Sequence, residues 1–312
     1  PPRTHQKWSH VAVDADGDFV VTWASYAQEN NGQLGSGYGI YARKYDGQVD
    51  RVGSEIIPPR AATSEFHVNT TTAGHQSTPS IDMDAFGNFV IAWTSDQGGL
   101  SDDIVCRVFT SDGAPIPIGG GLGYTGWQAG EILVNQTTDG AQRYPDVSID
   151  LGGRNFVVTW SSSGQDGSGW GVYARTFAIP TTVTDPWVGL ITATSGEFQV
   201  NTTTLANQLY SSVAMNHQGS FVVNWSGYGD QFGQEDDSGF GVFYQRFDPG
   251  TGGFGVVPRG QETRINQDVP GNQWLPSVDS DGEGNFVTVW TGVGTDPFPF
   301  GIYRFISSQV VP

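Results

Sequence analysis

The stretch EFQVNTTTLANQLYSSVAMNHQGSFVVNWS, from Glu197 to Ser226, contains the pattern from which the fold of this chain can be predicted. Three further stretches repeat it closely: EFHVNTTTAGHQSTPSIDMDAFGNFVIAWTS from Glu65, EILVNQTTDGAQRYPDVSIDLGGRNFVVTWSS from Glu131, and ETRINQDVPGNQWLPSVDSDGEGNFVTVWTG from Glu262. A shorter copy opens the chain. Self-similarity at a fixed period is the signature of a repeat architecture, so these copies predict one structural unit built five times.

Five tryptophans mark the period, because each one closes an FVVTW-like stretch. They are spaced by 70, 67, 65 and 65 residues and are Trp23, Trp93, Trp160, Trp225 and Trp290. A phenylalanine stands four residues before each, and a glutamine 17 or 18 residues before each. The repeats therefore span approximately 1–64, 65–130, 131–196, 197–261 and 262–312, and we assign all of them to a single domain, 1–312.

Each copy predicts four β-strands, which in the fourth copy are EFQVN, SSVAM, SFVVNW and GVFYQRF. Alternation places Phe19, Val21 and Trp23 on one face and Val20 and Thr22 on the other, so both faces need covering. Four-stranded sheets packed face to face around an axis are the blades of a propeller. The sequence thus predicts an all-β, five-bladed β-propeller of four-stranded blades. An open linear stack of β-sheets is the alternative, because a period alone does not establish ring closure.

The EFxVN strand occurs only four times, since the residues before SHVAV in the first copy are too few to hold it. If this strand is the outer one of each blade, the fifth blade needs a substitute. The segment SSQVVP, Ser307–Pro312, is the available candidate, and a three-stranded last blade is the alternative.

Charge and composition exclude several classes of function. The formal net charge is −18, and Lys7 and Lys44 are the only lysines, so we expect no nucleic-acid binding. Cys106 is the single cysteine, which excludes an internal disulfide and a thiolate zinc site. No apolar run approaches the roughly 18–20 residues of a membrane span, so we expect no membrane-spanning segment.

The phrases VNTTT, FVVTW and SSSGQDGSGWGVYARTF resemble a tandem repeat of large secreted RTX-type bacterial adhesins and calcium-binding surface proteins. The resemblance implies an extracellular or cell-surface setting. It also implies a noncatalytic repeat module for adhesion, surface-structure assembly or protein–protein interaction. Its partners would be other surface or matrix proteins, or glycans, and the chain would be part of a larger polypeptide or assembly. The GGxGxD nonapeptide of RTX proteins is absent, so calcium binding does not follow from the resemblance.

Two acidic segments are candidate cation sites, with calcium as the only cofactor they suggest. One is the turn with carboxylates at alternate positions, Asp14, Asp16 and Asp18. The other is the loop GDQFGQEDDSG, which contains Asp230, Glu235, Asp236 and Asp237. The competing interpretations are a solvated hairpin turn and an exposed loop, both of which relieve the repulsion between like charges without a ligand.

Four tryptophans outside the repeated FVVTW position are candidate glycan-binding residues: Trp127, Trp170, Trp187 and Trp274. Flat rings in loops suit the apolar faces of sugars. A lectin-like or calcium-dependent glycan binder is therefore the alternative function. The competing interpretation is that these rings fill gaps between blades.

A glycoside hydrolase is the third function considered, because such enzymes need two carboxylates at a defined separation. Asp82 and Asp279 break the symmetry of the second strand, where the other copies have Ala12, Ser148 and Ala214. The blades otherwise remain much alike, whereas catalytic blades diverge in their loops. The sequence therefore predicts that the chain is not an enzyme.

Two further sets of residues recur with the period. Arg43, Arg107 and Arg175 lie on the face of the large aromatics, and a glutamate opens each EFxVN strand (Glu65, Glu131, Glu197, Glu262). We expect either an Arg–Glu ion pair or an Arg–aromatic stack. Asn201 and Gln208 flank the crossing between two blades, and we expect them to bind backbone groups there.

Overall fold

The computed structural model describes residues 5–26, 28, 37–47, 51–52, 55–56, 60–96, 101–118, 130–179, 191–228, 239–250, 255–266, 271–293 and 301–307. Within these ranges the regular structure consists of strands, with no helix. Accordingly, the described residues contain no helix long and apolar enough to cross a membrane.

The strands form five antiparallel sheets, which follow one another along the chain. The first contains β1 (Gln6–Val13), β2 (Phe19–Tyr26) and β3 (Tyr38–Asp46), with β6 (Arg60–Ala61) and β7 (Phe66–His67) at its outer edge; β4 (Arg51–Val52) and β5 (Glu55–Ile56) pair separately. The second contains β8 (His75–Met83), β9 (Phe89–Asp96), β10 (Asp103–Phe109) and β11 (Ile132–Leu133). The third contains β12 (Gln142–Ile149), β13 (Asn155–Ser163), β14 (Trp170–Ala178), β15 (Thr192–Ala193) and β16 (Phe198–Gln199). The fourth contains β17 (Gln208–Met215), β18 (Phe221–Tyr228), β19 (Phe240–Pro249) and β20 (Val256–Arg264), and the fifth β21 (Gln273–Ser280), β22 (Phe286–Gly292) and β23 (Gly301–Ser307).

These sheets are the blades of a five-bladed β-propeller, which confirms the predicted fold class. The innermost strands β1, β8, β12, β17 and β21 contact one another in that order. All five line one pocket on a common axis, so the arrangement is radial and the linear stack is excluded.

The EFxVN phrase completes the outer edge of the preceding blade, as expected. Within it, β7 pairs with β3, β11 with β10, and β16 with β14. A sequence repeat therefore spans two blades, with its first strand in one and its other strands in the next. The fifth blade has three strands among the described residues. Of its candidate fourth strand, Ser307 ends β23 and residues 308–312 lie outside the described part of the chain.

The recurring glutamine binds the recurring tryptophan. The indole Nε1 of Trp160 donates to Oε1 of Gln142 at 2.9 Å, and both side chains are buried. The recurring asparagine accepts a bond from the backbone of its blade, as when Val172 N donates to Asn201 Oδ1 at 2.7 Å. A buried indole N–H without a partner costs stability, so this polar pair is part of the core. The repeated phrase is therefore explained by architecture.

The recurring arginines form the aromatic stack, one of the two predicted arrangements. The guanidinium of Arg107 lies 5.4 Å from the ring of Phe109, and that of Arg175 lies 5.3 Å from the ring of Phe177. The glutamate has another role, because Glu131 accepts bonds from the backbone N–H groups of Thr70 and Thr71. Glu197 and Glu262 bind the equivalent backbone groups, so these three glutamates anchor the link from the outer strand of one blade to the inner strand of the next.

Candidate functional site

A backbone irregularity recurs at the same position of all five inner strands. A residue other than glycine has a positive φ of 47–59° at each: Trp8, Thr78, Tyr144, Tyr210 and Leu275. Each lies at a β-bulge, where the pairing register shifts. The left-handed region costs an L-residue roughly 1–2 kcal/mol, so the surrounding structure must hold these residues in place. Conformations of this kind concentrate at functional sites.

The five left-handed residues line a pocket on the propeller axis. Its volume is about 500 Å³, and it is walled by the bulge segments of all five inner strands. The rings of Tyr144 and Tyr210 lie 4.9 Å apart, and the ring of Trp170 lies 6.5 Å from that of Tyr144. Because Trp8 stands on the same wall, the pocket presents several aromatic faces around one space. We call this the axial pocket.

A second pocket of about 370 Å³ adjoins the axial pocket and shares Trp8, Thr78 and Tyr144 with it. It adds charged groups to the aromatic wall: the carboxylates of Asp96 and Asp102 and the guanidinium of Arg143. Arg143 and Asp102 form an ion pair, and this hydrogen-bonded carboxylate raises the pKa of Arg143. The combined site therefore offers both ring faces and polar groups to a ligand.

Asp82 and Asp146 lie on neighbouring inner strands, and each forms hydrogen bonds across the interface between blades. Asp82 Oδ2 accepts from Ser148 Oγ at 2.9 Å and from Ile149 N at 2.8 Å. Asp146 accepts from Ser80 Oγ at 2.6 Å and from the backbone N–H of the fourth blade's inner strand. Asp146 also lines the axial pocket.

The pKa of Asp82 is raised to about 6, mainly by burial and to a lesser extent by the nearby charge of Asp146, against the lowering effect of its hydrogen bonds. A carboxyl group with such a pKa is protonated over part of the neutral range and can donate a proton. The sequence pattern had singled out Asp82, with Asp279 as its expected partner. Asp279 lies exposed on β21, in a blade that is not a neighbour of the second, and accepts a bond from Ser280 N. The carboxylate that the fold brings beside Asp82 is Asp146.

The sequence interpretation missed Asp146, Trp8, Tyr144 and Tyr210. Asp146 had a signal, because three other copies have serine at this position (Ser80, Ser212 and Ser277). No sequence signal identified the aromatic residues, since a left-handed bulge does not change the alternation of apolar and polar residues along a strand. Only the bulge turns these side chains toward the axis.

The first candidate cation segment is a hairpin turn. Asp14 Oδ1 accepts from the backbone N–H groups of Asp16 and Asp18, at 3.0 and 2.9 Å. Asp18 accepts from Gly47 N and pairs with Lys44 at 3.2 Å; the bond from Gly47 lowers the pKa of Asp18. No group of three or more potential ligands of a metal ion occurs among the described residues. The second candidate segment (Asp230, Glu235, Asp236, Asp237) lies outside them, so calcium binding there stays a prediction.

The four predicted glycan-binding tryptophans fall in different places. Trp170 borders the axial pocket through its contact with Tyr144. Trp274 is exposed on β21, next to the left-handed Leu275. Trp127 and Trp187 lie outside the described part of the chain.

The chain matches no protein-family model and no curated protein. It is similar to solved structures at low sequence identity. A protein of unknown function from Dyadobacter fermentans DSM 18053 has a TM-score of 0.50 at 10% identity, over 98% of this chain and 79% of that one. An endo-arabinase from Bacteroides thetaiotaomicron VPI-5482 has a TM-score of 0.46 at 11% identity, over 97% and 95%. A thermostable family-43 glycoside hydrolase has a TM-score of 0.42 at 9% identity, over 99% and 92%.

These comparisons contradict two predictions made from the sequence. The first is the prediction of a noncatalytic module for adhesion, assembly or protein–protein interaction. It is contradicted because the propellers that this chain resembles include an endo-arabinase and a glycoside hydrolase. The prediction that the chain is not an enzyme is contradicted by the same finding. At such identities the similarity itself shows the fold alone, so the chemistry of this chain has to be argued from its own residues.

Proposed function

We propose that this chain is a glycan-acting enzyme that binds a saccharide in the axial pocket and hydrolyses a glycosidic bond there. The observation that carries the proposal is the set of five left-handed residues, which turns several ring faces toward one space on the axis. Its volume of about 500 Å³ lies within the range of small-molecule sites.

The aromatic wall suits a saccharide. The C–H groups of a pyranose or furanose form an apolar face that packs on a flat ring, while its hydroxyl groups need hydrogen-bond partners. Tyr144, Tyr210 and Trp8 supply rings, and Asp102 and Arg143 supply polar groups in the adjoining pocket. The inward rings are held by backbone geometry, so little side-chain freedom is lost on binding.

Asp82 and Asp146 are the proposed catalytic pair. Hydrolysis needs one carboxylic acid that protonates the leaving-group oxygen and one carboxylate that activates water or attacks the sugar carbon. Asp146, which lines the pocket, is assigned as the carboxylate that acts directly on the substrate. Asp82, with a pKa raised to about 6, is not among the residues that line the pocket and is assigned as its protonated partner in the wall behind.

The proposed setting is extracellular, where polysaccharides are available as substrates. The support is the resemblance of the VNTTT, FVVTW and GSGWGVYAR phrases to repeats of secreted RTX-type proteins. The proposed partners are therefore glycans.

The test is the release of reducing sugar from a panel of polysaccharides, combined with binding measured by affinity electrophoresis. Asp146→Asn is expected to lower kcat by at least about 10²-fold while leaving binding intact, because a catalytic carboxylate is lost but the rings remain. Tyr144→Ala is expected to weaken binding instead. Asp14→Asn, in a hairpin turn of the first blade, is the matched control. Binding without hydrolysis would contradict the catalytic assignment, and the absence of both would contradict the proposal.

A further inference from the structure

One position of the repeat defines a level of the axial pocket. In each inner strand this position lies two residues after the left-handed residue, and it is the first to pair with the second strand again beyond the bulge. Equivalent positions of strands around one axis lie at the same depth, so their side chains form a ring. We call this set the bulge ring, and its members are His10, Ser80, Asp146, Ser212 and Ser277.

Serine occupies three positions of the bulge ring, and the other two carry ionisable side chains. His10 and Asp146 both line the axial pocket. They belong to the first and third blades, with the second blade between them. The wall of the pocket therefore presents an imidazole and a carboxylate to one space from two different blades.

His10 differs from other members of the bulge ring in its hydrogen bonds. Asp146 Oδ2 accepts a bond from Val213 N at 2.9 Å, and Ser212 Oγ accepts one from Val278 N at 3.1 Å, so these side chains join adjacent blades. His10 is exposed, and its imidazole has no hydrogen-bond partner among the described residues. Both nitrogen atoms of this ring are therefore available to a ligand in the pocket.

Hydrolysis in the axial pocket requires a proton donor that reaches the substrate. Asp82, whose pKa is raised to about 6, does not line the pocket. Burial raises the pKa of Tyr210 above the ordinary phenol value, so its hydroxyl group keeps its proton at neutral pH. Histidine is the side chain whose unperturbed charge changes between pH 5 and 8, which suits His10 to donate a proton near neutral pH.

The charged groups around His10 are few. Among the described residues that line the axial pocket, Asp146 is the one carboxylate, and no lysine or arginine accompanies it. Lys7, on the same strand as His10, holds its ammonium group 5.6 Å from the ring of Trp8. The adjoining pocket contains the other charged or titratable groups, which are His75, Asp96, Asp102 and Arg143. Asp146 is thus the carboxylate that shares the axial pocket with His10.

We propose that His10 protonates the leaving-group oxygen in the axial pocket, while Asp146 activates water. This inference rests on the proposed function and adds a catalytic residue to it. The imidazolium of His10 gives its proton to the glycosidic oxygen as the bond from this oxygen to the sugar carbon breaks, and the electron pair of that bond stays on the oxygen. Water adds to the carbon and passes a proton to the carboxylate of Asp146. One proton leaves the imidazolium and one enters the carboxylate, so exchange with solvent restores both groups without a further reactant.

The test compares leaving groups of different basicity. The substrates are aryl glycosides of the sugar that the wild type releases, carrying either phenol or 2,4-dinitrophenol. His10→Gln is expected to lower kcat for the phenyl glycoside by about 10²–10⁴-fold, because the basic phenolate needs a proton as it leaves. The same variant should leave kcat for the dinitrophenyl glycoside close to that of the wild type, since dinitrophenolate leaves without a proton. Asp146→Asn should lower kcat for both substrates.

The pH profile is a second readout. For the phenyl glycoside, kcat of the wild type should fall as the pH rises and the imidazolium loses its proton. This fall should be absent from the residual activity of His10→Gln. His5→Gln, at an exposed histidine outside both pockets, is the matched control and should behave like the wild type. Thermal unfolding shows that each variant is folded.

Two results would overturn the assignment of His10 alone. One is a His10→Gln variant as active as the wild type on the phenyl glycoside. The other is a loss of the same size on both aryl glycosides, which is the result expected of a structural role. A wild type that releases no sugar from the polysaccharide panel would overturn the proposed function, and this assignment with it.

Discussion

The indole Nε1 of Trp93 donates a hydrogen bond of 2.9 Å to Oε1 of Gln76 inside the second blade. The same pair occurs in the next three blades, at distances of 2.9, 3.2 and 3.0 Å. It joins the first strand of a blade to its second, 17 or 18 residues later, and so accounts for the most regular polar feature of the sequence.

Replacement of this glutamine is expected to destabilise the protein. Gln76→Leu leaves the buried indole N–H of Trp93 without its acceptor, which costs about 1–3 kcal/mol of unfolding free energy. Urea denaturation followed by tryptophan fluorescence measures the change. Gln218→Leu, at an exposed turn residue, is the matched control and should change stability little. Equal stability of the two variants would show that the indole bond is not needed.

The inter-blade glutamate is expected to matter only where it is buried. Glu131 accepts bonds from Thr70 N, Thr71 N and Thr71 Oγ1, so Glu131→Gln should lower the unfolding free energy by about 1–3 kcal/mol. Glu65→Gln changes the equivalent exposed residue of the first blade and is the control. Chemical denaturation of both variants is the measurement, and a loss of the same size at Glu65 would contradict the role assigned to the buried contact.

The left-handed bulges can be tested by comparing glycine with alanine. At Leu275, whose φ is 52°, the glycine variant should be more stable than the alanine variant by about 1 kcal/mol, because glycine adopts this region without a steric penalty. At the adjacent Trp274 the order should reverse, since glycine weakens an ordinary strand position. Thermal unfolding measures the stability of the four variants, glycine and alanine at each of the two positions. Alanine being equal or better at Leu275 would show that the bulge is not strained.

Asp82 is expected to make stability fall as the pH rises. Its pKa is about 6 in the folded chain against the ordinary aspartate value of 3.8, so between these values the folded state holds a proton that the unfolded state has released. The unfolding free energy should therefore decrease from about pH 4 to about pH 6, by up to about 3 kcal/mol from this group. Asp82→Asn should remove this contribution.

Urea denaturation at pH 4, 5, 6 and 7 measures the effect on the wild type and Asp82→Asn. Thr192→Asn, an exposed substitution without a titrating group, is the control and should keep the wild-type pH dependence. If Asp82→Asn follows the wild-type profile, burial does not perturb this carboxyl in the way assigned to it.

The number and strand content of the repeat units could be predicted from the sequence, whereas their arrangement around an axis could not. The spacing of Trp23, Trp93, Trp160, Trp225 and Trp290 and the alternation around them specify five similar units of strands, because side-chain periodicity and turn residues are local properties. The asymmetry of the copies also pointed to Asp82. Local pattern could not supply the neighbour of that carboxyl, since Asp146 is 64 positions away in the chain and its charge acts on Asp82 only when two blades pack.

The candidate site arises only when the blades are assembled. Tyr144 and Tyr210 have the sequence pattern of ordinary strand residues, and only the left-handed bulge turns their rings onto the axis, where they meet at 4.9 Å. The tertiary structure also determines which apolar faces are covered. Ile40 and Ile302 occupy equivalent positions in the repeat, yet Ile40 is buried by the next blade and Ile302 is exposed. The physical reason is the same in both cases, because a repeat specifies each unit by itself, whereas a pocket or an interface exists only between units.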